Sequence, residues 1–345
     1  MITSLLAIVD AEHDACLEEL VVRRLAPLPG LGVTVLALLM RCSDRLPAGL
    51  RGAGVAARPS AAVASPDWTA VRNLITAARE ADAQALYSHG TSAHMLSSLA
   101  GPTLGIPVVA HLWRPLAPGD THAATLCHST IVVATEAARA HALAAGCADV
   151  AVIPTPVRRG ATMITPGAGA CTFGWAASQL ETDGWDLFVT AASAVAAASA
   201  DVRFRCSVPE AARIAMPRSL APRSTIVPLG FDGSGFTAGI DVFVHTAWQD
   251  ATHITLVDAL ARGLPVVATT ADGSAELLER ASGLHLYAPG NVDALIDEML
   301  AAAATRHQGA TRRSPCPTEG DDAARSVLDL VGKARRHRSS DLATS

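Results

Sequence analysis

Short apolar runs alternate with longer amphipathic stretches along most of the chain, and this alternation predicts β-strands separated by α-helices. In the first half, the apolar runs predict seven strands, at 5–9, 32–38, 54–57, 85–87, 107–110, 130–134 and 150–153. Helical patterns lie between them, at 16–24, 68–80, 93–100 and 136–145. Strands and helices that alternate in this way form a parallel sheet with helices on both faces.

A second series follows a segment rich in proline and glycine. Residues 154–170 lack apolar periodicity, which predicts a linker. After it come five predicted strands and three predicted helices: strands at 171–176, 202–206, 225–229, 241–244 and 265–269, and helices at 185–198, 255–262 and 292–303. The two series predict two Rossmann-like, doubly wound α/β domains, 1–153 and 171–306, that face each other across a cleft.

The C-terminal segment, residues 307–345, is assigned to neither domain. Residues 307–321 are polar and break the pattern, whereas 322–336 have the periodicity of one last helix. The tail from His337 onward is polar and predicted to be disordered.

Composition narrows the class of protein. The chain has 345 residues, which suits two domains, and half of them are hydrophobic. The net charge of −5 gives no sign of a nucleic-acid surface. The N-terminal sequence MITSLLAIVD has no basic region before its apolar run, so it is interpreted as a strand and not as a signal peptide. No apolar run approaches the roughly 20 residues that span a bilayer. A soluble, cytoplasmic protein is expected.

Cysteine and histidine spacing gives no metal or disulfide signature. The seven cysteines are an odd number and contain no C-x-x-C pair, which favours reduced thiols. The histidines show no ligand spacing, so neither a structural nor a catalytic metal is predicted.

The stretch 242–273 carries the most informative chemistry. It runs from a buried strand through a polar loop with Asp250, into a helix that contains Asp258, and on to another strand. In a parallel sheet, that loop and the helix N-terminus lie at the carboxyl edge, where phosphates and hydroxyls bind. Seven residues separate the two aspartates, so both can face one ligand.

This stretch resembles the donor-site motif of family-4 glycosyltransferases of the GT-B fold. There, two glutamates at this spacing precede a segment like E-A-M-A-x-G-x-P-V-V, and here the segment from Asp258 reads D-A-L-A-R-G-L-P-V-V. Three weaker blocks occur in the family's order: GIPVVAH at 105–111, IVVATE at 131–136 and VIPTPV at 152–157. The resemblance covers most of the chain and strengthens toward the C-terminus.

Three departures from the family pattern concern ligand binding. The Gly-rich loop after the first strand is replaced by D-A-E-H-D at 10–14. The Arg and Lys that usually neutralise the donor diphosphate are Ser178 and Asp183. Both glutamates are aspartates, which shortens each reach by roughly 1.5 Å. Since a charged hydrogen bond is worth about 1.5–3 kcal/mol, the diphosphate must be held in another way. The amides of helix 255–262 would supply part of that stabilisation, and Arg114, Arg158 or Arg159 are alternative cations.

The resemblance implies roles for individual residues, and the residues themselves leave some alternatives open. His111 closes an apolar strand, where it is either an acceptor-side group or a hydrogen-bonded structural residue. Asp258 either binds a ribose diol or complements the helix dipole, and Thr255 is a phosphate contact, an N-cap residue, or both. His253 is a possible electrostatic replacement for the lost cations. The assigned catalytic residues are His111, Asp250 and His253; the donor-binding residues are Thr252, Ile254, Thr255, Asp258 and Gly230; the acceptor-binding residues are His89, Trp113 and Arg114.

The expected function is transfer of a sugar from a nucleotide-sugar donor to a small or medium acceptor. The resemblance implies retention of the anomeric configuration, with no metal and no cofactor besides the nucleotide-sugar co-substrate. Divergence from the family pattern points to specialised metabolism. The alternatives are a catalytically inactive glycosyltransferase-like partner subunit, or another enzyme of the same fold, such as a sugar epimerase or an enzyme with an unusual donor. The sequence leaves open whether the chain forms a homo-oligomer or binds a partner protein.

Overall fold

Two parallel β-sheets organise the chain, and each belongs to its own unit. The first unit comprises Met1–Pro156 together with Thr318–Ser345, and the second comprises Val157–Pro317. The computed structural model describes residues 2–12, 14–60, 67–114, 129–157, 164, 167, 169–177, 180–208, 216–228, 234–248, 254–278, 284–306 and 320–344. The predicted α/β fold class is confirmed.

The first unit contains a seven-stranded sheet in the order β3-β2-β1-β4-β5-β6-β7. Its strands are β1 Ser4–Val9, β2 Thr34–Leu39, β3 Ala56–Pro59, β4 Leu86–His89, β5 Val108–His111, β6 Thr130–Val133 and β7 Val150–Val152. Its helices are α1 Ala15–Leu25, α2 Arg45–Gly52, α3 Trp68–Glu80, α4 Thr91–Leu104, α5 Glu136–Ala144 and, from the C-terminal segment, α11 Gly320–Thr344. Because the strand order reverses between β1 and β4, their carboxyl ends form a topological switch point.

Side-chain caps fix where three of these helices begin. Asp14 accepts hydrogen bonds from the amides of Cys16 and Leu17 at the start of α1. Asp67 caps α3 and Thr135 caps α5 in the same way. Each cap satisfies amides that have no partner within the helix. Strands β4, β5 and β6 are buried along their whole length, as expected for the inner part of a sheet covered on both faces, whereas the edge strand β3 is mostly exposed.

The second unit contains a six-stranded sheet in the order β10-β9-β8-β11-β12-β13. Its strands are β8 Cys171–Ala176, β9 Val202–Val208, β10 Ser224–Pro228, β11 Val242–His245, β12 Val266–Thr269 and β13 Leu284–Tyr287. Its helices are α6 Trp185–Ala198, α7 Ser234–Thr237, α8 Ile254–Ala261, α9 Asp272–Leu278 and α10 Val292–Thr305. Here the switch point lies between β8 and β11. Helix α6 packs on β8 through aromatic side chains, since the rings of Phe188 in α6 and Trp175 in β8 stack with their centroids 5.3 Å apart.

Every predicted strand has a counterpart in the structure, but three α-helices and one strand among the described residues were not predicted. Helix α2 contains Pro47 and two glycines, which obscure helical periodicity. Helices α7 and α9 are only four and seven residues long. Strand β13 lies at the edge of its sheet and is half-exposed over much of its length, so it lacks a continuous apolar run.

The last helix is longer than predicted. It continues through the tail that was expected to be disordered and ends at Thr344. Its inner stripe, Ala323, Ala324, Val327 and Val331, is at most 1% exposed. At its start, Gly320 packs closely against the segment that follows α1, since a Cβ at position 320 would be 3.2 Å from Pro27. Packing of this stripe anchors the helix, which residue composition alone does not reveal.

Two observations on the described part of the chain concern membrane-spanning helices and disulfide bonds. None of the helices there is long and apolar enough to cross a membrane. Five cysteines fall in the described ranges, and all five are free thiols.

Candidate functional site

The switch point of the first unit is built around a close contact between Asp10 and Gly90. Asp10 follows β1 directly, and Gly90 follows β4 with φ +90° and ψ 156°. A Cβ at position 90 would overlap the carbonyl oxygen of Asp10. Only glycine fits both this backbone conformation and this approach. The backbones at the carboxyl ends of β1 and β4 are therefore in close contact.

Arg41 is fixed at this edge by a bidentate ion pair with Asp10. Its Nε and Nη2 donate to the two carboxylate oxygens at 2.9 and 2.6 Å, and Nη2 also lies 3.0 Å from Glu12 Oε1. Asp10 is fully buried, whereas the Arg41 side chain is 40% exposed. Burial alone would raise the pKa of Asp10, but hydrogen bonds from Arg41 and Ser92 and the charge of Arg41 lower it below its usual value. A guanidinium is thus held rigidly at the carboxyl edge.

Sequence reasoning missed Asp10 and Arg41. The signal that was present is an acid directly after the first strand, in the place of the family's glycines. Its partner lies 31 residues further along the chain, at the end of β2. Only the parallel pairing of β1 with β2 brings these two strand ends together.

His89 and His111, predicted on the acceptor side, lie next to each other on β4 and β5. They are register partners, and their ring centroids are 5.3 Å apart. Both residues are at most 1% exposed. Burial, together with the charges of His94 and Arg24, lowers the pKa of each imidazole well below its usual value. Both rings are therefore neutral near pH 7, and their roles toward an acceptor stay predictions.

Arg24 and Tyr87 extend this polar interior. Arg24 is 1% exposed, and its Nη2 donates to the carbonyl oxygen of Ile153 at 2.6 Å. Burial raises the pKa of Tyr87 to about 12, and its ring lies 4.4 Å from that of His89. Burial also lowers the pKa of Arg24. The first unit thus encloses a cation and three neutral titratable rings beside its switch point.

Trp113 and Arg114, also predicted on the acceptor side, follow β5 and form a stacked pair. The Arg114 guanidinium carbon lies 4.4 Å from the Trp113 ring centroid. Arg114 Nη2 is 3.9 Å from a carboxylate oxygen of Asp14, the cap of α1. The structure therefore brings this pair to the start of α1, at the same carboxyl edge as Asp10.

In the second unit, Thr246 ties together the ends of β8 and β11. Trp175 Nε1 donates to Thr246 Oγ1 at 2.8 Å, and that hydroxyl donates to the carbonyl oxygen of Asp183 at 2.6 Å. Gly184 has φ +76°, and a Cβ there would overlap the carbonyl oxygen of Thr246. The turn at 180–184 is thereby fixed at the switch point.

Asp183 occupies the position where the family pattern has a diphosphate-binding lysine, and it is 3% exposed. The structure buries this carboxylate and does not present it to solvent. Ser178, the other replaced basic residue, lies outside the described residues.

Helix α8 places the described donor-site residues in its first two turns. Its described part runs from Ile254, so Thr255 lies inside the helix; this argues against the N-cap alternative and leaves the phosphate contact as a prediction. Ile254, Thr255 and Asp258 are 4–6% exposed. Six other residues named in the sequence analysis lie outside the described residues: Arg158, Arg159, Gly230, Asp250, Thr252 and His253.

Trp248 was not predicted, although it is one of the large hydrophobic side chains that the structure leaves exposed. It follows β11 by three positions and is 50% exposed. Its amide donates to the carbonyl oxygen of Thr182 at 2.9 Å. Gly290, with φ +77°, lies beneath the ring, and a Cβ there would be 2.8 Å from a ring carbon. The indole is thus seated on glycine backbone while part of its surface faces solvent.

Comparison with known proteins identifies the second unit. Residues 170–305 match the family model described as Glycosyl transferases group 1. A search of the curated proteins finds none that matches this sequence. Residues 170–305 are a glycosyltransferase domain, as the sequence motif predicts.

Solved structures extend the likeness to the whole chain. The HepE protein of Anabaena, in complex with UDP and glucose, superposes with a TM-score of 0.76 at 14% identity, over 96% of this chain and 100% of that one. A glycosyltransferase from Rickettsia africae gives 0.75 at 12% identity, over 96% and 98%. A putative UDP-N-acetylglucosamine 2-epimerase from Listeria monocytogenes gives 0.64 at 14% identity, over 96% of each chain. The fold is GT-B, and the prediction of a GT-B glycosyltransferase is confirmed.

Proposed function

We propose that this glycosyltransferase transfers a sugar from a nucleotide-sugar donor to a small or medium acceptor, with retention of configuration and without a metal. The observation that carries the proposal is the coincidence of the matched segment, 170–305, with the switch point between β8 and β11. Ligands of doubly wound sheets bind at such points. HepE has been crystallised with UDP-glucose, so UDP-glucose is the first donor to test.

On the donor side, the protein would hold the nucleotide through a ring, a helix end and a carboxylate. The solvent-facing part of Trp248 offers a surface on which a base can stack. The first amides of α8 suit the diphosphate, because a helix N-terminus favours negative charge. Asp258 would accept hydrogen bonds from the ribose diol, and Asp250 would hold sugar hydroxyls.

On the acceptor side, the carboxyl edge of the first unit offers Arg41, fixed by Asp10, and the stacked pair of Trp113 and Arg114. Stacked and ion-paired groups of this kind orient a hydroxylated molecule without moving themselves. His111 would lie beside the attacking hydroxyl as a neutral imidazole. Leaving-phosphate stabilisation by α8, with His253 as helper, would supply the main catalytic effect.

Asp258→Asn is expected to weaken donor binding by about 10- to 100-fold, because a charged hydrogen bond is worth about 1.5–3 kcal/mol. A thermal-shift titration with UDP, GDP, TDP, ADP and CDP, and with UDP-glucose, measures this effect. A nucleotide at 100 times its dissociation constant adds about 2.7 kcal/mol of stability. The matched control is Asp297→Asn, an exposed acid in the middle of α10 that should leave binding unchanged. Equal effects of both substitutions would remove Asp258 from the site.

Trp248→Ala is expected to cost about 1–3 kcal/mol of nucleotide affinity, the usual contribution of one base stacked on an aromatic ring. Nucleotide binding should quench part of the tryptophan fluorescence of the wild type, and this quenching should disappear in the variant. Trp68→Ala serves as control, since Trp68 is 78% exposed on α3 of the first unit. If the quenching survives in Trp248→Ala, the base does not stack there.

A second candidate is a glycosyltransferase-like subunit that does not catalyse transfer. It is favoured by Ser178 and Asp183, neither of which offers a positive charge to a diphosphate. No thermal shift with any nucleotide, together with an obligate protein partner on co-purification, would favour this candidate.

A sugar epimerase is a further alternative, because the fold is similar to that of the putative epimerase from Listeria. Incubation with UDP-glucose and product analysis separates epimerisation from transfer.

Cytoplasmic location, a role in specialised metabolism, the absence of a metal and the oligomeric state stay predictions. Among the described residues, no group of three or more His, Cys, Asp or Glu side chains is arranged to hold a metal ion. Activity after treatment with a chelator is the direct test.

A further inference from the structure

A concave groove of about 790 Å³ lies between the outer side of α11 and the amino edge of the first unit's sheet. On the sheet side it is lined by Ile2, just before β1, and by Leu31, just before β2. On the helix side, the lining runs from Arg325 to Arg336. The groove is thus at the edge opposite to the one that carries Asp10 and His89.

The lining of this groove is strongly cationic. Arg325, Lys333, Arg335 and Arg336 line it, against one acid, Asp329. This excess of positive charge stands out in a chain with a net charge of −5. Within the described part of the chain, Arg325, Lys333 and Arg336 take part in none of the ion pairs. Positive charge is therefore available to an anionic ligand.

Helical spacing holds these charges in one row. Positions 325, 328, 329, 332, 333 and 336 follow each other at alternating intervals of three residues and one, so that every second position is four residues further on, which places them on one side of α11. The other side of the helix is buried through Val327 and Val331. The row is consequently attached to a packed helix and keeps its geometry without a ligand.

The floor of the groove is apolar. Ile2 is 6% exposed, and Leu31 and Leu328 are half-buried. Gly332 adds no side chain in the middle of the row, and the Arg336 guanidinium packs over it, since a Cβ there would be 3.6 Å from Arg336 Nη1. Among the described residues that line it, there is no aromatic ring on which the bases of a single-stranded nucleic acid could stack. An apolar floor beneath a cationic rim fits a ligand that is itself apolar at one end and anionic at the other.

We propose that this groove, lined by Ile2, Leu31, Arg325, Leu328, Lys333 and Arg336, binds the phosphate of an acidic lipid. The phosphate lies between the Arg and Lys side chains, and the first part of the lipid chain covers the leucines and Ile2. A volume of about 790 Å³ is in the range of sites that hold one small amphiphilic molecule. Because the groove lies at the amino edge of the sheet, a bound lipid leaves the carboxyl edge accessible.

Co-sedimentation of the full chain with vesicles tests the proposal. We expect binding to vesicles of equal parts phosphatidylglycerol and phosphatidylcholine, and little binding to pure phosphatidylcholine. The double substitution Lys333→Glu/Arg336→Glu should reduce the binding constant by about 25-fold or more, since each basic residue near an anionic surface contributes about fivefold. Leu31→Gln should reduce vesicle binding while leaving the dependence on anionic lipid unchanged.

The matched control is Arg72→Glu/Arg79→Glu, which makes the same change in net charge on exposed positions of α3. This variant should bind vesicles as the wild type does. A loss equal to that of the groove variant would overturn the proposal, and so would equal binding to neutral and acidic vesicles. Circular dichroism melts test whether each variant is folded, which is expected for the four exposed basic positions; for Leu31, which is half-buried, the melt shows whether a loss of vesicle binding has another cause than unfolding.

Two further measurements distinguish a bound lipid from a small phosphate compound and from a second copy of the chain. A rise in Tm with glycerol 3-phosphate that the groove variant loses, without vesicle binding, would keep the phosphate site but overturn the lipid as its ligand. A concentration-dependent dimer in light scattering that the groove variant loses, again without vesicle binding, would assign the groove to a contact between two copies of the chain and overturn the proposal.

Discussion

Replacement of Gly90 by alanine is expected to lower the free energy of unfolding of the first unit by about 2–6 kcal/mol. A side chain at φ +90° and ψ 156° is strained by about 1–3 kcal/mol. The added methyl group would also overlap the carbonyl oxygen of Asp10, and such overpacking costs a further 1–3 kcal/mol or so. Urea denaturation, with hydrogen exchange at the amides of β1 and β4, measures both the size and the place of the loss.

Two other glycines separate strain from overlap. Gly105 has φ +66°, but a Cβ at this position would have no atom within 4 Å, so Gly105→Ala should cost only the left-handed penalty of about 1–2 kcal/mol. Gly30 has neither feature, and Gly30→Ala should be close to neutral. If all three variants lose the same stability, the contact between Gly90 and Asp10 is not what holds the switch point together.

Acidification from pH 7 to pH 5 is expected to destabilise the first unit by up to about 4 kcal/mol. His89 and His111 have folded-state pKa values well below 6.5, mainly because both rings are buried. The unfolded chain therefore binds more protons than the folded one as the pH falls below about 6.5. Each histidine then contributes a loss of at most about 2 kcal/mol over this interval. The stability that their burial confers is fully present above pH 6.5 and decreases below it.

The double substitution His89→Gln/His111→Gln should flatten this pH dependence, whatever its effect on absolute stability. His141→Gln, at a half-exposed position on α5, is the control for removal of a histidine that lies outside this buried pair. The lowered pKa of Asp10 acts in the same direction, but only as the pH falls below about 3.8. A wild-type protein that is equally stable at pH 7 and pH 5 would contradict the assignment of two neutral buried histidines.

The elements that the sequence predicts well are those whose local pattern and burial agree. Strand 171–176 and helices 68–80 and 185–198 coincide with β8, α3 and α6 at both ends. Each has a clear apolar period, and α3 has the cap Asp67. Strand β13 and helix α9 were missed because the first is a half-exposed edge strand and the second is short. The helical tail of α11 was missed because its anchor, the buried stripe around Val327, is a tertiary contact.

For the candidate site too, local sequence patterns were predicted and features that depend on tertiary contacts were not. The motif around Asp258 identified the glycosyltransferase domain because its spacing is local. The pairing of Arg41 with Asp10 was not predicted, since it depends on which strands are neighbours. The burial of His111 and Asp183 could not be read from sequence either, because both are polar residues at element ends, where exposure is the usual expectation.

The return of α11 to the first unit has a consequence for biosynthesis. The first unit contains residues 1–156 and 318–345, so the ribosome completes the whole second unit before the last piece of the first one exists. Domains generally fold from the N-terminus as they emerge. Here the surface that receives Val327 and Val331 must remain uncovered during translation of about 160 intervening residues. A chaperone that shields apolar surface on the nascent chain would act during this interval, and a nonsense mutation just before residue 320 would leave that surface permanently exposed.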